Sequence, residues 1–93
     1  MTSAGGGYEV RFSARARRAV GRLPEAAAAA AIEFCFGPLS TNPERVGKQL
    51  TRDLESYHSA RRGQYRVVYR IDAAAGVVFV VRIDHRRDVY RPS

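Results

Sequence analysis

Tyr65-Arg66-Val67-Val68-Tyr69-Arg70-Ile71 and Val77-Val78-Phe79-Val80-Val81-Arg82-Ile83, separated by Asp72-Ala73-Ala74-Ala75-Gly76, decide the fold of this chain. Both runs are rich in β-branched and aromatic residues, which suit a pleated, half-buried surface. The segment between them supplies a turn, with Gly76 free to take the positive φ that such loops often need. The two runs therefore read as a β-hairpin. At period two the first strand sets Tyr65, Val67, Tyr69 and Ile71 on one face and Arg66, Val68 and Arg70 on the other. The helices are expected to cover the first face. Arg66 and Arg70 then look out from the second, where the neighbouring strand adds Arg82 at its far end.

Working outward, Tyr8-Glu9-Val10-Arg11-Phe12 alternates apolar and polar and reads as a strand. Ser13 caps a helix in which Ala16, Ala19, Val20 and Leu23 fall on one apolar face while Arg15, Arg18 and Arg22 line another. Pro24 and Glu25 open a second helix, whose six alanines lead to Ile32, Cys35 and Phe36 before Gly37-Pro38 stops it. Small alanine side chains suit a tight antiparallel pairing of the two helices. Leu39 to Gly47, polar and holding Pro43, reads as a loop, Leu50 to Leu54 as a short strand and Tyr57 to Arg61 as a weak one. The tail from Asp84 to Ser93 is expected as coil across the sheet, and residues 1–7, small and Gly-rich, as a disordered leader to a single domain at 8–93. The order β-α-α-β-β-β describes an α+β domain, with an antiparallel helix pair on one face of a mainly antiparallel sheet of about four strands.

Sixteen Lys and Arg against nine Asp and Glu give a formal charge of +7 over 93 residues, and Lys48 is the only lysine. Guanidinium forks match phosphate oxygens two at a time and stack on bases, so an arginine-dominated surface points to phosphate recognition. Composition alone is equally compatible with a solvated basic surface, so position has to decide. MTSAGGG lacks the basic start and apolar run of a signal peptide, and no stretch approaches the ~20 apolar residues of a membrane span, so a cytoplasmic protein with no membrane partner is expected. Cys35, the single cysteine, sits among Ile32, Phe34 and Phe36 and reads as a buried thiol rather than a nucleophile.

Arg66, in mid-strand, would cost stability unless it is paired with an acid or used in function, whereas Arg70 has Asp72 within reach as a surface partner. Tyr65 and Tyr69 read as core aromatics, while Tyr90, in a polar tail, is placed to stack on a base. Arg61 and Arg62 before the strong strand, and Arg86 and Arg87 after the last one, add guanidinium groups at the rim. With Lys48, Arg52, His58 and His85 they compose a basic concavity that also carries proton carriers. The two histidines lack the Cys or acidic companions of a metal site, and neither a phosphate loop nor a nucleophile elbow is present.

Two stretches, LESYHSARRGQYRVVYRID (Leu54 to Asp72) and VVFVVRIDHRRDVYR (Val77 to Arg91), resemble the signature segments of the RelE/ParE toxins, in the RelE branch. The motifs R-x-G-x-Y-R-V-x-Y and I-x-H-R-R-D-V-Y in that order carry the likeness, which extends from Tyr8 onward and includes Leu23-Pro24 and Asn42-Pro43. The resemblance implies a toxin of a type II toxin-antitoxin system that cuts messenger RNA in the ribosomal decoding site without a metal or other cofactor. It also implies neutralisation by a RelB-like antitoxin, with operator DNA bound only as the toxin-antitoxin complex. By the same resemblance Arg66 contacts the scissile phosphate, Arg86 follows the last strand, Tyr90 stacks on the substrate base and Arg61 matches a basic position ahead of the strand. Where some members carry lysines as proton carriers this chain has Tyr57 and Ser59 with His58 between them, which leaves the general base to His85 or His58. Lys48, Arg52, His58, Arg62, Arg70 and Arg87 would track the RNA. Two other readings share these features: a ParE-like inhibitor of DNA gyrase with no catalysis of its own, and a nucleic-acid-binding module that cuts nothing.

Overall fold

The computed structural model describes residues 7–50 and 57–85. Its elements in chain order are β1 (Glu9–Phe12), α1 (Ala14–Arg22), α2 (Glu25–Phe36), a single-turn α3 (Pro38–Thr41), β2 (Lys48–Gln49), β3 (Tyr57–Arg62), β4 (Tyr65–Asp72) and β5 (Val77–His85). The strands form one sheet in the order β1-β5-β4-β3-β2. β1 runs parallel to β5, and the other pairs are antiparallel. The expected α+β layering is present: the helices lie on one face, α1 mainly along β5 and α2 against α1, α3 and β4. Two details differ from the sequence reading. The sheet has five strands against about four expected, and the short strand read from Leu50 stands two residues earlier, as β2 at Lys48–Gln49, a stretch too short to show a period. The loop expected from Leu39 begins instead with a helical turn, which Pro38 opens from a position where its missing N–H is not needed.

Leu50 follows β2 and donates its N–H to the Tyr57 carbonyl at 3.0 Å. The rest of the strand expected at Leu50 to Leu54 lies outside the described residues. At the other end, Asp84 and His85 continue β5 rather than starting a coil, and the remainder of the expected tail likewise falls outside them.

Val67, Tyr69, Val78, Val80, Leu39 and Cys35 are fully enclosed and form the centre of the core. Each such apolar side chain contributes roughly 1.5–3 kcal/mol by leaving water. Tyr65, also buried, reaches through to α2 and donates its hydroxyl to the Ala30 carbonyl at 3.0 Å. Gly76 closes the β4–β5 turn with φ +69°, the conformation expected of it. Ser40 pins the segment leading into β1: its hydroxyl donates to the Tyr8 carbonyl at 2.7 Å, and the Tyr8 N–H donates back to the Ser40 carbonyl at 2.8 Å.

One irregularity determines which side chains of β5 reach the core. Val68 pairs with Arg82 and Tyr69 with Val80, so Val81 is an extra residue in the ladder. Strict alternation from Val78 and Val80 would bury Arg82 and expose Ile83; the bulge reverses that order beyond Val81. Ile83 is accordingly buried and Arg82 exposed.

Candidate nucleic-acid interface

Cross-strand partners in a sheet share a face, so the register sorts the basic residues directly. On the face away from the helices, Arg61 of β3 lies opposite Arg66 of β4, which lies opposite Asp84 of β5. The next row on that face is Lys48, Ser59, Val68 and Arg82. A third is Tyr57, Arg70, Phe79 and Arg11. Among the described residues, six cations therefore stand on three adjacent rows, with Asp84 the only acid in them. Glu9 and Asp72 flank Val77 in the row beyond.

Local partners account for some of these charges. Arg82 Nε donates to Asp84 Oδ2 at 2.8 Å, and Arg11 Nε to Glu9 Oε2 at 2.8 Å. The Glu9 carboxyl is lowered from its ordinary pKa by that hydrogen bond and by the Arg11 charge. Arg70 lies over the Phe79 ring, 4.7 Å from its centroid, rather than on Asp72. The Asp72 carboxylate instead accepts the Ala75 N–H at 3.1 Å and shapes the hairpin turn. Arg61, Arg66 and Lys48 make no ion pair with another described residue.

Arg61 and Arg66 form a like-charge pair directly across two strands, about 4.5–5.5 Å apart at Cβ, which destabilises the sheet unless an anion lies between them. Their row's only acid is already engaged by Arg82. This arrangement suits a group carrying two or more anionic oxygens, which two guanidinium forks can grip together.

Both histidines fall on the other side of the sheet. His58 pairs with Tyr69 and stacks on its ring at 5.6 Å and 20°, and its Nδ1 is buried with no hydrogen-bond partner among the described residues. His85 pairs with Tyr65 and lines a cleft of about 270 Å³ between α1 and the end of β5. The expected single concavity holding both histidines with the arginines is therefore divided by the sheet. Arg62 is in β3 rather than in a loop, and its guanidinium covers the Phe34 ring of α2 at 4.7 Å on the helix side. Arg61 likewise belongs to β3 but faces outward. Arg52, Arg86, Arg87 and Tyr90 lie outside the described residues.

The cleft also holds residues that the sequence presented only as the outer face of a helix. Arg15, Arg18 and Arg22 line it together with Arg82 and Asp84. Their i, i+3, i+7 spacing was the available signal, but what that stripe faces depends on how α1 docks on the sheet.

An α+β domain with a helix-covered sheet and an open arginine face defines a class that comparison identifies. A family model described as ParE toxin of type II toxin-antitoxin system, parDE, matches residues 10–90, and the chain belongs to that family. Within it the chain falls in the RelE branch. It is 54% identical over 84 residues to the toxin RelE of Mycobacterium tuberculosis, covering 90% of this chain and 87% of that protein. To the toxin RelG of the same organism it is 52% identical over 84 residues, covering 90% of this chain and 97% of the relative. The fold matches that in the crystal structure of the toxin-antitoxin complex RelBE2 from M. tuberculosis with a TM-score of 0.82 and 51% identity, over 86% of this chain and 99% of that one. The protein is thus a toxin of a toxin-antitoxin system, and none of its described helices is long and apolar enough to cross a membrane.

Proposed function

We propose that this toxin is a metal-independent endoribonuclease that cuts messenger RNA on the ribosome and is held inactive by a RelB-like antitoxin. The observation that carries the reading is the Arg61–Arg66 pair, two guanidinium groups in register on the open face with no ion-pair partner among the described residues. In the reaction the ribose 2′-oxygen attacks the adjacent phosphorus and the 5′-oxygen of the next nucleotide leaves. The phosphorane transition state carries extra negative charge, which Arg66 and Arg61 stabilise. Arg86 and Tyr90, following β5, supply a further cation and a stacking surface. Lys48, Arg52, Arg70 and Arg87 hold the backbone on either side, and Arg62, on the helix side of β3, adds positive charge at a distance.

Proton transfer is assigned to His85. Although it shares the helix side with His58, it ends β5 and lines the open cleft beside Asp84 of the Arg66 row, whereas the His58 ring is stacked on Tyr69 with its Nδ1 buried. The RelE branch and the M. tuberculosis complex with its antitoxin support the partner assignment. Operator DNA is bound by the complex rather than by the toxin alone.

The test is to express the wild-type chain and Arg66→Ala, His85→Gln and His58→Gln forms under a tight promoter and map messenger 5′ ends during translation. Cuts within translated codons are expected in the wild type. They should disappear in Arg66→Ala, fall about 10²- to 10⁴-fold in His85→Gln and persist in His58→Gln. Undiminished cutting by His85→Gln would remove it as the base. The matched family model carries the name of ParE, so a gyrase-inhibitor reading has one observation in its favour. It predicts growth arrest with intact messengers and induced DNA damage.

A further inference from the structure

The cleft between α1 and the end of β5 carries charge that the open face does not explain. Among the described residues its arginines are Arg15, Arg18, Arg22 and Arg82, and its acid is Asp84. Asp84 is bound to Arg82 at 2.8 Å, so that pair is internally neutralised. The three α1 arginines are exposed and make no ion pair or hydrogen bond to another described side chain.

Helix stability gives no reason for their placement. Arg15 stands in the first turn of α1, where the helix dipole disfavours a cation, and that turn holds no acid. Arg18 repels Arg15 at i, i+3 and Arg22 at i, i+4, which costs an isolated helix a few tenths of a kcal/mol each. Only Arg22, in the last turn, has a favourable dipole position. An arrangement that works against its own helix is accounted for by an anion outside it. Seven residues of helix extend ~10 Å, enough for a strand to lay successive phosphates against these side chains. The cleft is also larger than a side-chain carboxylate needs.

We propose that this cleft is a second phosphate-binding site, where Arg15, Arg18 and Arg22 grip the backbone of RNA. It rests on the nuclease reading in one respect: Asp84 belongs both to the Arg61–Arg66 row and to the cleft lining, so the two sites meet at the end of β5. RNA that places one phosphate on Arg66 can pass around that strand end and lay flanking phosphates along α1. The same chemistry would serve the messenger strand or ribosomal RNA.

The experiment measures binding by the full chain and by its R15Q/R18Q/R22Q variant to a short uncleavable 2′-deoxy-substituted oligouridylate and to ribosomes free of messenger, across a salt series. Glutamine keeps helix propensity, and an R15K/R18K/R22K variant keeps the charge. The glutamine variant is expected to lose about 2 from the slope of log K against log salt and to bind about 100-fold more weakly near ~0.1 M salt. The lysine variant should retain the slope. A loss on the oligonucleotide assigns the site to the messenger, and a loss on empty ribosomes alone assigns it to ribosomal RNA. Unchanged slopes on both, with the glutamine variant melting like the wild type, would overturn the proposal. If the glutamine variant does not fold, the lysine variant binding no better than an unfolded chain's charge allows would do the same. Because the probe cannot be cut, an inactive wild type would sink the nuclease reading and leave this result readable.

Discussion

Tyr69 has no exposed surface, and its hydroxyl donates to the Pro43 carbonyl at 2.6 Å inside the core. Burial pushes this phenol up to about 12 from its ordinary 10.0, and burial likewise pushes the Cys35 thiol to about 12 from 9.0. In both cases the fold holds the neutral, protonated form. As pH rises the unfolded chain releases these protons first, so the folded state comes to bind more protons and loses stability. Their contribution is full below pH ~9 and is lost as pH climbs toward the folded values, at up to about 1.4 kcal/mol per pH unit for each group. Urea unfolding followed from pH 7 to 11 should show that decline setting in near pH 9. Tyr69→Phe should make the decline shallower while costing about 1–3 kcal/mol at neutral pH, since the Pro43 carbonyl is left buried without a donor. An unchanged alkaline slope in that variant would show that the phenol is not held protonated by the fold.

Ser13 ties three elements together with one hydroxyl, which accepts from the Ala16 N–H at 2.9 Å and donates to the Val81 carbonyl at 2.9 Å. It therefore caps α1 and fixes that helix to β5 at the bulge. Ser13→Ala is expected to cost about 1–2 kcal/mol, read as a lowered urea midpoint with the m-value unchanged. Ser13→Asp should recover the cap but not the donation to Val81, and so only part of the loss. The cap was legible in the sequence because Ser13 directly precedes a run of helical period, and the two faces of β4 were legible because tyrosine, valine and arginine alternate there. The bulge was not, because Val77 to Val81 is apolar throughout and offers no alternation to break. Tyr57 to Ala60 shows no period either, which is why His58 could be counted with the outward arginines until the register turned it toward Tyr69. Arg15, Arg18 and Arg22 could be read as one helix face, but the β5 edge opposite them is a product of tertiary packing. The Arg66 face was legible for the opposite reason: it follows from alternation in one strand and needs no partner to define it.

Across the molecule, near and distant pairings are unevenly distributed. β3, β4 and β5 are consecutive antiparallel neighbours, whereas β1 closes the sheet by pairing in parallel with the last strand, and Ser13 meets Val81 across 68 residues. Closing that long loop costs chain entropy before the contact returns any stability, so the parallel pair should form late. Val67, enclosed at the centre of β4, and Val10, half-buried in β1 opposite Val78, report on the two regions. Val67→Ala removes two buried methyl groups and should cost about 2 kcal/mol, and Val10→Ala about 1 kcal/mol, both large enough to resolve kinetically. If the β3–β4–β5 meander is the nucleus, Val67→Ala slows folding about five- to tenfold, while Val10→Ala leaves the folding rate nearly unchanged and accelerates unfolding. Stopped-flow chevrons for the two variants decide the order. A slowed folding limb in Val10→Ala would mean that the β1–β5 closure is already made in the transition state. The arginine face would then be assembled only after the chain's two ends had met, instead of being set by the meander that carries it.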